Sequence, residues 1–332
     1  MVSLLDRLRD LVERRGEVAN RNVVQALGVS PATSHRLLRA AVADGVLERH
    51  GRGRAARYGL RRIRHRYRLA GLAEDRVWRR VSDEIAKVRA LAEEEKTSLQ
   101  YAATEVINNA IEHSRGRSLD VTVEFETSTT TVMTVRDDGV GVFRRVCEDF
   151  GFPSAHEAIV QLEKGKLTSD PSRHSGEGLF FSSKAVTRFR LESQGVAWIV
   201  DNLVGDSAVG PSQVRRGTQV VLAVVRGKTP RLVEVFRGYT DAGTLRFMRT
   251  RSTIRLATLG SSLVSRAEAR RVTARLNDFR EAVLDFSGVD VVGQGFCDEI
   301  FRVFARRHPE VELEPVGMNE AVAFMVARAR AT

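Results

Sequence analysis

The sequence predicts a multidomain α+β chain of three parts, and three observations carry that prediction. At 332 residues, 42% hydrophobic and 29% charged, the chain has a globular balance and exceeds one ordinary domain. Its formal charge of +11 is unevenly placed: residues 1–70 hold 16 Arg, no Lys and 6 acidic residues, whereas the other 262 hold 37 basic and 36 acidic side chains. The pattern also changes along the chain, from short helices with a basic hairpin, to strands bordered by glycine pairs, to regular strand–helix alternation.

The composition excludes several classes. No apolar run reaches the ~18 residues of a membrane span. The opening MVSLLDRLRD is charged at once, unlike a secretory leader, so the chain is read as cytoplasmic with no membrane partner. Cys147 and Cys297 stand far apart, which excludes a disulfide framework and a clustered-thiol metal site. With 47 Arg against 6 Lys, a GC-rich genome explains the preference for Arg but not its crowding at one end. That crowding points to a polyanionic partner for the amino-terminal part.

Leu4, Leu5, Leu8, Leu11 and Val12 have helical spacing, and Val23, Val24 and Leu27 make a short second helix closed by Gly28. Ser30 before Pro31 is helix-start chemistry for a third helix through Leu37, Leu38, Ala41 and Val42, which Gly45 ends. Val46–Glu48 and Ala55–Leu60 alternate as short strands around His50-Gly51-Arg52-Gly53-Arg54. This order resembles the winged helix-turn-helix family. The resemblance implies that residues 1–68 bind double-stranded DNA, with Thr33, Ser34, His35, Arg36 and Arg39 of the third helix in the major groove. Arg52, Arg54 and Arg57 on the wing would reach phosphates or the minor groove. Such units also serve as protein-interaction modules, and the local charge favours DNA.

The run Arg61–Arg68 closes the basic block and reads as a solvated linker. A linker helix is assigned to residues 69–98, because Val77, Val81, Ile85, Val88 and Leu91 form one apolar stripe over 74–95. The stripe suits packing on the next domain or a homodimer seam, and symmetric DNA half-sites favour a dimer.

In the helix Leu99–Ser114, Glu105, Asn109 and His113 stand four apart and share a face able to hold a hard cation and orient water. Leu119–Phe125 and Val132–Val135 alternate as strands, and the second runs into Asp137-Asp138-Gly139-Val140-Gly141, where glycines admit close approach of a ligand. Ser175-Gly176-Glu177-Gly178-Leu179 opens the helix Phe180–Val186 as an anion-binding turn, and Gly217-Thr218 opens the strand Gln219–Val225.

Together, over residues 90–228, these features resemble the GHKL (Bergerat-fold) ATP-binding α/β sandwich of gyrase, histidine kinases, MutL and the anti-sigma serine kinases. EVINNAIEHS is most similar to the last of these. The resemblance implies ATP and Mg2+ as cofactors, with Glu105 polarising the attacking water or acceptor hydroxyl and Asn109 as the magnesium ligand. It implies that Asp137 accepts the adenine amino group beside Gly139 and Gly141. It places Gly176, Gly178 and Leu179 over the phosphates, and Thr218 behind the adenine. A lid is expected over 142–175, with a helix at Ser154–Lys164 and with Arg173 and, beyond it, Lys184 as phosphate partners. Phe180-Phe181 directly after the second glycine box departs from the commonest form of the family.

A boundary falls near 226–243. Beyond it, strands at Thr244–Met248, Ile254–Leu256, Ala282–Phe286 and Val311–Pro315 alternate with helices at Arg266–Arg275, Gly295–Arg306 and Asn319–Arg330. LDFSGVDVVGQGFCDEIFRVF resembles STAS domains, which implies a small α/β domain over 243–332 that binds another protein segment. Gln294 stands where the phosphorylated serine of the classical antagonists would be, so regulation by phosphorylation there is not expected. The combination points to an ATP-responsive transcription regulator. A serine/threonine protein kinase acting on an antagonist-like partner and a non-catalytic ATP-dependent scaffold are the alternatives.

Overall fold

The computed structural model describes residues 3–165, 177–239, 249–274 and 276–331. The expected strand Thr244–Met248 lies outside them, as do Arg173 and Gly176.

The amino-terminal unit runs α1 (Leu4–Arg15), β1 (Glu17–Val18), α2 (Asn20–Leu27), α3 (Pro31–Ala43), β2 (Leu47–His50) and β3 (Arg57–Leu60). Its strands form an antiparallel sheet in the order β1-β3-β2. The Ser3 hydroxyl accepts from Asp6 N while the Asp6 carboxylate accepts from Ser3 N, which starts α1. Gly28 ends α2 in the left-handed region, and the Ser30 hydroxyl accepts from Thr33 N to start α3. Leu8, Val12, Val18, Val23, Leu38 and Leu47 close the core of the unit.

The central unit follows without a break as β4 (Arg62–Arg68), α4 (Glu74–Val88), α5 (Glu93–His113), β5 (Ser118–Phe125), β6 (Thr130–Asp137), α6 (Val142–Phe150) and α7 (Ala155–Lys164). It continues as α8 (Gly178–Ala185), β7 (Arg188–Ser193), β8 (Val196–Asp201), β9 (Asp206–Pro211), β10 (Thr218–Val225) and α9 (Leu232–Arg237). Its seven strands pair antiparallel in the order β4-β5-β6-β10-β7-β8-β9. Leu119, Val121, Val123 and Phe125 alternate inward from β5 onto the helices, while Asp120, Thr122 and Glu124 stay on the outer face.

Two sequence expectations change here. The run read as the basic close of the amino-terminal unit is strand β4, so residues 62–68 belong to the central sheet. Ile63 points into the core while Arg64, Arg66 and Arg68 stay exposed. The helix expected over 74–95 is two helices. Its stripe of Val77, Trp78, Val81 and Ile85 is spent in the central core, which leaves no dimer seam there. The chain turns extended at Arg89, whose guanidinium donates to the carbonyl oxygens of Asp44, Thr127 and Thr130 and lies 5.0 Å over the Phe125 ring. A new helix then starts, with the Glu95 carboxylate accepting from Ala92 N.

The carboxy-terminal unit comprises β11 (Arg249–Arg255), β12 (Ser262–Leu263), α10 (Arg266–Thr273), β13 (Phe279–Asp285) and β14 (Val291–Val292). After these come α11 (Gln294–Asp298), α12 (Ala305–Arg307), β15 (Glu312–Val316) and α13 (Glu320–Arg330). A π-helical stretch, Glu299–Phe304, makes α11 and α12 continuous. The parallel sheet β11-β13-β15 and the helices bury Ala282, Leu284, Phe286, Phe296 and Ile300.

Helix α7 joins this unit to the central one. Lys164 is 2% exposed and its ammonium donates to Val272 O at 2.6 Å and Ala274 O at 3.0 Å. Gln161 Nε2 donates to Arg271 O, Arg271 pairs with Glu157 at 2.9 Å, and Val160 enters the carboxy-terminal core.

Candidate functional site

Four adjacent segments build a glycine-lined site beside the buried face of α5. Strand β6 ends at Asp137, whose carboxylate accepts from Gly139 N at 2.8 Å and is 6% exposed. Burial raises its pKa above the ordinary aspartate range, against the lowering effect of hydrogen bonds from Gly139 and Thr218. Strand β10 runs beside β6 and brings Thr218 there, with its hydroxyl also accepting from Val142 N at 3.0 Å. Glycine is required at this junction. A Cβ on Gly139 would lie 2.1 Å from Ser114 O, and one on Gly217 2.0 Å from Asp137 O. Gly141 caps α6 at φ 93°, and its Cβ would meet the Ser193 hydroxyl at 2.4 Å.

Helix α8 packs across α5 at the other side of the site. A Cβ on Gly178 would stand 2.1 Å from Glu105 Oε2, so the glycine that starts α8 lies directly against the glutamate. Asn109 follows one turn later on the same half-buried stripe of α5. Leu179 packs on the central core. Phe180 and Phe181 are buried with Tyr101, Phe236 and Tyr239, with Phe181 and Phe236 ring centroids 4.8 Å apart, so this departure from the common box anchors α9. Burial pushes the Tyr101 phenol well up, and the charges of Glu105 and Glu177 add to it. Lys184 acts electrostatically on Glu163 of α7, a carboxyl raised by burial and held by Ser207 and Trp198.

Sequence reasoning missed the part played by Asp138, the second residue of the Asp-Asp-Gly turn. Its carboxylate accepts from Ser118 N, the Ser118 hydroxyl and Arg117 N, and these bonds lower its pKa to about 2. It pins the loop after α5 to the loop that presents Asp137. The adjacent acidic residue in the sequence was the available signal.

In the amino-terminal unit, His35, Arg36, Arg39 and Arg52 are exposed. Ser34 is not: it is fully buried, and its hydroxyl donates to Asn20 Oδ1, so it fastens α3 to α2 and is not available as a base-reading residue. Thr33 is half-buried in the cap with Ser30. Arg57 donates to Ala55 O and Ala56 O of its own turn, and the Arg54 side chain is outside the described set.

A buried carboxylate faces backbone that has been stripped of side chains, and a carboxylate–carboxamide pair on α5 faces a glycine-started helix. Residues 70–200 match the family model described as histidine kinase-like ATPase domain. Residues 268–323 match that of the STAS-like domain of unknown function (DUF4325). The chain thus carries a GHKL-like ATPase domain followed by a STAS-like domain, a combination consistent with a nucleotide-regulated signalling protein. No curated protein matches the sequence. Among the described residues no helix is long and apolar enough to cross a membrane.

Proposed function

We propose that the protein is an ATP- and DNA-binding transcription regulator whose grip on DNA is set by the nucleotide state of the central domain. The order helix–strand–helix–helix–strand–strand over residues 4–60 supports reading this unit as a winged helix-turn-helix, as does the exposure of His35, Arg36 and Arg39 on α3. In the central domain Asp137 binds the adenine amino group, with Gly139, Gly141 and Thr218 around the base. Asn109 would hold Mg2+, Glu105 would orient water, and Gly178 and Leu179 would lie over the phosphates, with Lys184 as a partner. Bound ATP would supply a triphosphate whose γ-phosphoryl distinguishes the triphosphate from the diphosphate state.

The observation that carries this reading is Arg89. One guanidinium joins the end of α3, at Asp44, to the β5–β6 turn, at Thr127 and Thr130, and sits at the break that precedes α5. A shift of α5 on nucleotide binding is therefore felt at the third helix of the DNA-binding unit. Tight ATP binding alone moves nothing; the two DNA-binding states must differ in ATP affinity.

Fluorescence anisotropy with the gene's own upstream duplex and a scrambled duplex, at fixed salt, tests the function. Titrations without nucleotide, with Mg-ATP and with Mg-ADP should give specific binding that depends on nucleotide. Equal, weak binding to both duplexes under all three conditions would refute it.

A further inference from the structure

Beyond residue 70 the sequence is nearly charge-balanced, yet the fold gathers arginines at one end of the central sheet. Arg115, Arg144, Arg215 and Arg216 line a cleft of about 330 Å³ together with Asp138 and Gln194. The anions nearby are already engaged. Asp138 is held by Ser118 and the Arg117 N–H, and Glu148 pairs with Arg144 at 2.8 Å. Arg216 donates to the Asp138 carbonyl.

Two of the lining residues, Arg115 at φ 55° and Gln194 at φ 52°, are the non-glycine residues held in the left-handed region among those described. The cleft is continuous with β4. Arg68 pairs with Ser118, Leu69 N donates to Arg117 O, and Arg66 donates to the Ser118 hydroxyl. Among the described residues the side chains of Arg64, Arg68, Arg115, Arg117 and Arg215 make no ion pair or hydrogen bond.

We propose that this strip, from Arg64 along β4 to the Arg115–Arg215 cleft, is a second surface for the phosphate backbone of duplex DNA. The inference rests on the reading that the chain binds DNA. The guanidiniums are exposed and spread along a line, with alternate residues of β4 about 7 Å apart. A lone phosphate would stay hydrated there, whereas a polyanion gains by releasing its condensed counterions. Contacts of this kind add affinity and register without reading bases.

The test is the salt dependence of duplex binding by the full chain, compared with the Arg115→Gln/Arg215→Gln double variant and a second pair, Arg68→Gln/Arg117→Gln. Each lost phosphate contact lowers the slope of log K against log salt by about 0.9. A fall of one to two in slope is expected for either pair, with equal weakening on operator and scrambled duplexes. Arg36→Ala is expected instead to lose the preference for operator. Wild-type DNA binding with unchanged slope and affinity in both pairs would overturn the second surface and leave the DNA reading intact. Cleft-dependent binding of free pyrophosphate without any change in the duplex slope would also overturn it. No duplex binding by the wild-type chain would remove both.

Discussion

The guanidinium of Arg89 donates to the backbone carbonyl of Asp44, the residue that caps α3. Two units are therefore joined by a side chain that also fixes where α4 stops and α5 begins. Arg89→Ala should leave nucleotide-free DNA affinity within a few-fold of wild type and shrink the effect of Mg-ATP on it towards none. Anisotropy titrations of the variant check this, and a full nucleotide effect would show that coupling runs elsewhere.

The glycines of the site separate packing from function. At Gly178 an added Cβ meets the Glu105 side chain first, at its carboxylate end, so Gly178→Ala should fold normally and displace the carboxylate. Mg-ATP affinity or turnover should fall at least tenfold with little change in denaturant midpoint. At Gly139 the obstacle is the Ser114 backbone, so Gly139→Ala should lose stability by about 1–3 kcal/mol as well. Urea unfolding beside ATP calorimetry distinguishes the two.

Asp137→Asn can still accept from Gly139 N, yet it removes the charged acceptor for an adenine amino group. Loss of a hydrogen bond to a charged group, about 1.5–3 kcal/mol, should weaken ATP binding tenfold or more while the fold survives. Calorimetric titration with ATP measures it.

The neighbouring aspartates have opposite pH signs. Burial raises the pKa of Asp137, so its contribution to stability declines as pH rises from the ordinary aspartate range through the raised value. Asp138 is lowered from 3.8 to about 2, so its contribution is present above 3.8 and is lost as pH falls towards about 2. The stability gap between wild type and Asp138→Asn should therefore be larger at pH 7 than at pH 2, which urea midpoints at both values would show.

Lys164→Met removes the buried donor to Val272 O and Ala274 O, and each carbonyl left unpaired costs about 1–3 kcal/mol. Hydrogen exchange should show α7 and the end of α10 losing protection together. Unchanged exchange in α7 would mean that the carboxy-terminal domain does not restrain it.

Much of this architecture was legible in local chemistry. Ser30-Pro31, the Asp-Asp-Gly turn and the alternation of β5 each declare a start, a loop or a face within a few residues. β4 was hidden because its inward residues Ile63, His65 and Tyr67 are interleaved with arginines, and the charge outweighed the period of two. The break at Arg89 was invisible because its causes lie at Asp44, Thr127 and Thr130, far away in sequence. Ser34 sat in the reading register of α3 but turns inward to Asn20. The arginine cleft draws its arginines from two loops and from helix α6, which no spacing rule could assemble.

Nucleotide control of DNA binding is a coupling free energy, and linkage makes it reciprocal. The decisive measurement is the Mg-ATP dissociation constant of the full chain with and without saturating operator duplex. The ratio should differ from one and equal the ratio of DNA affinities with and without Mg-ATP. A ratio of one in both directions would contradict nucleotide control of DNA binding.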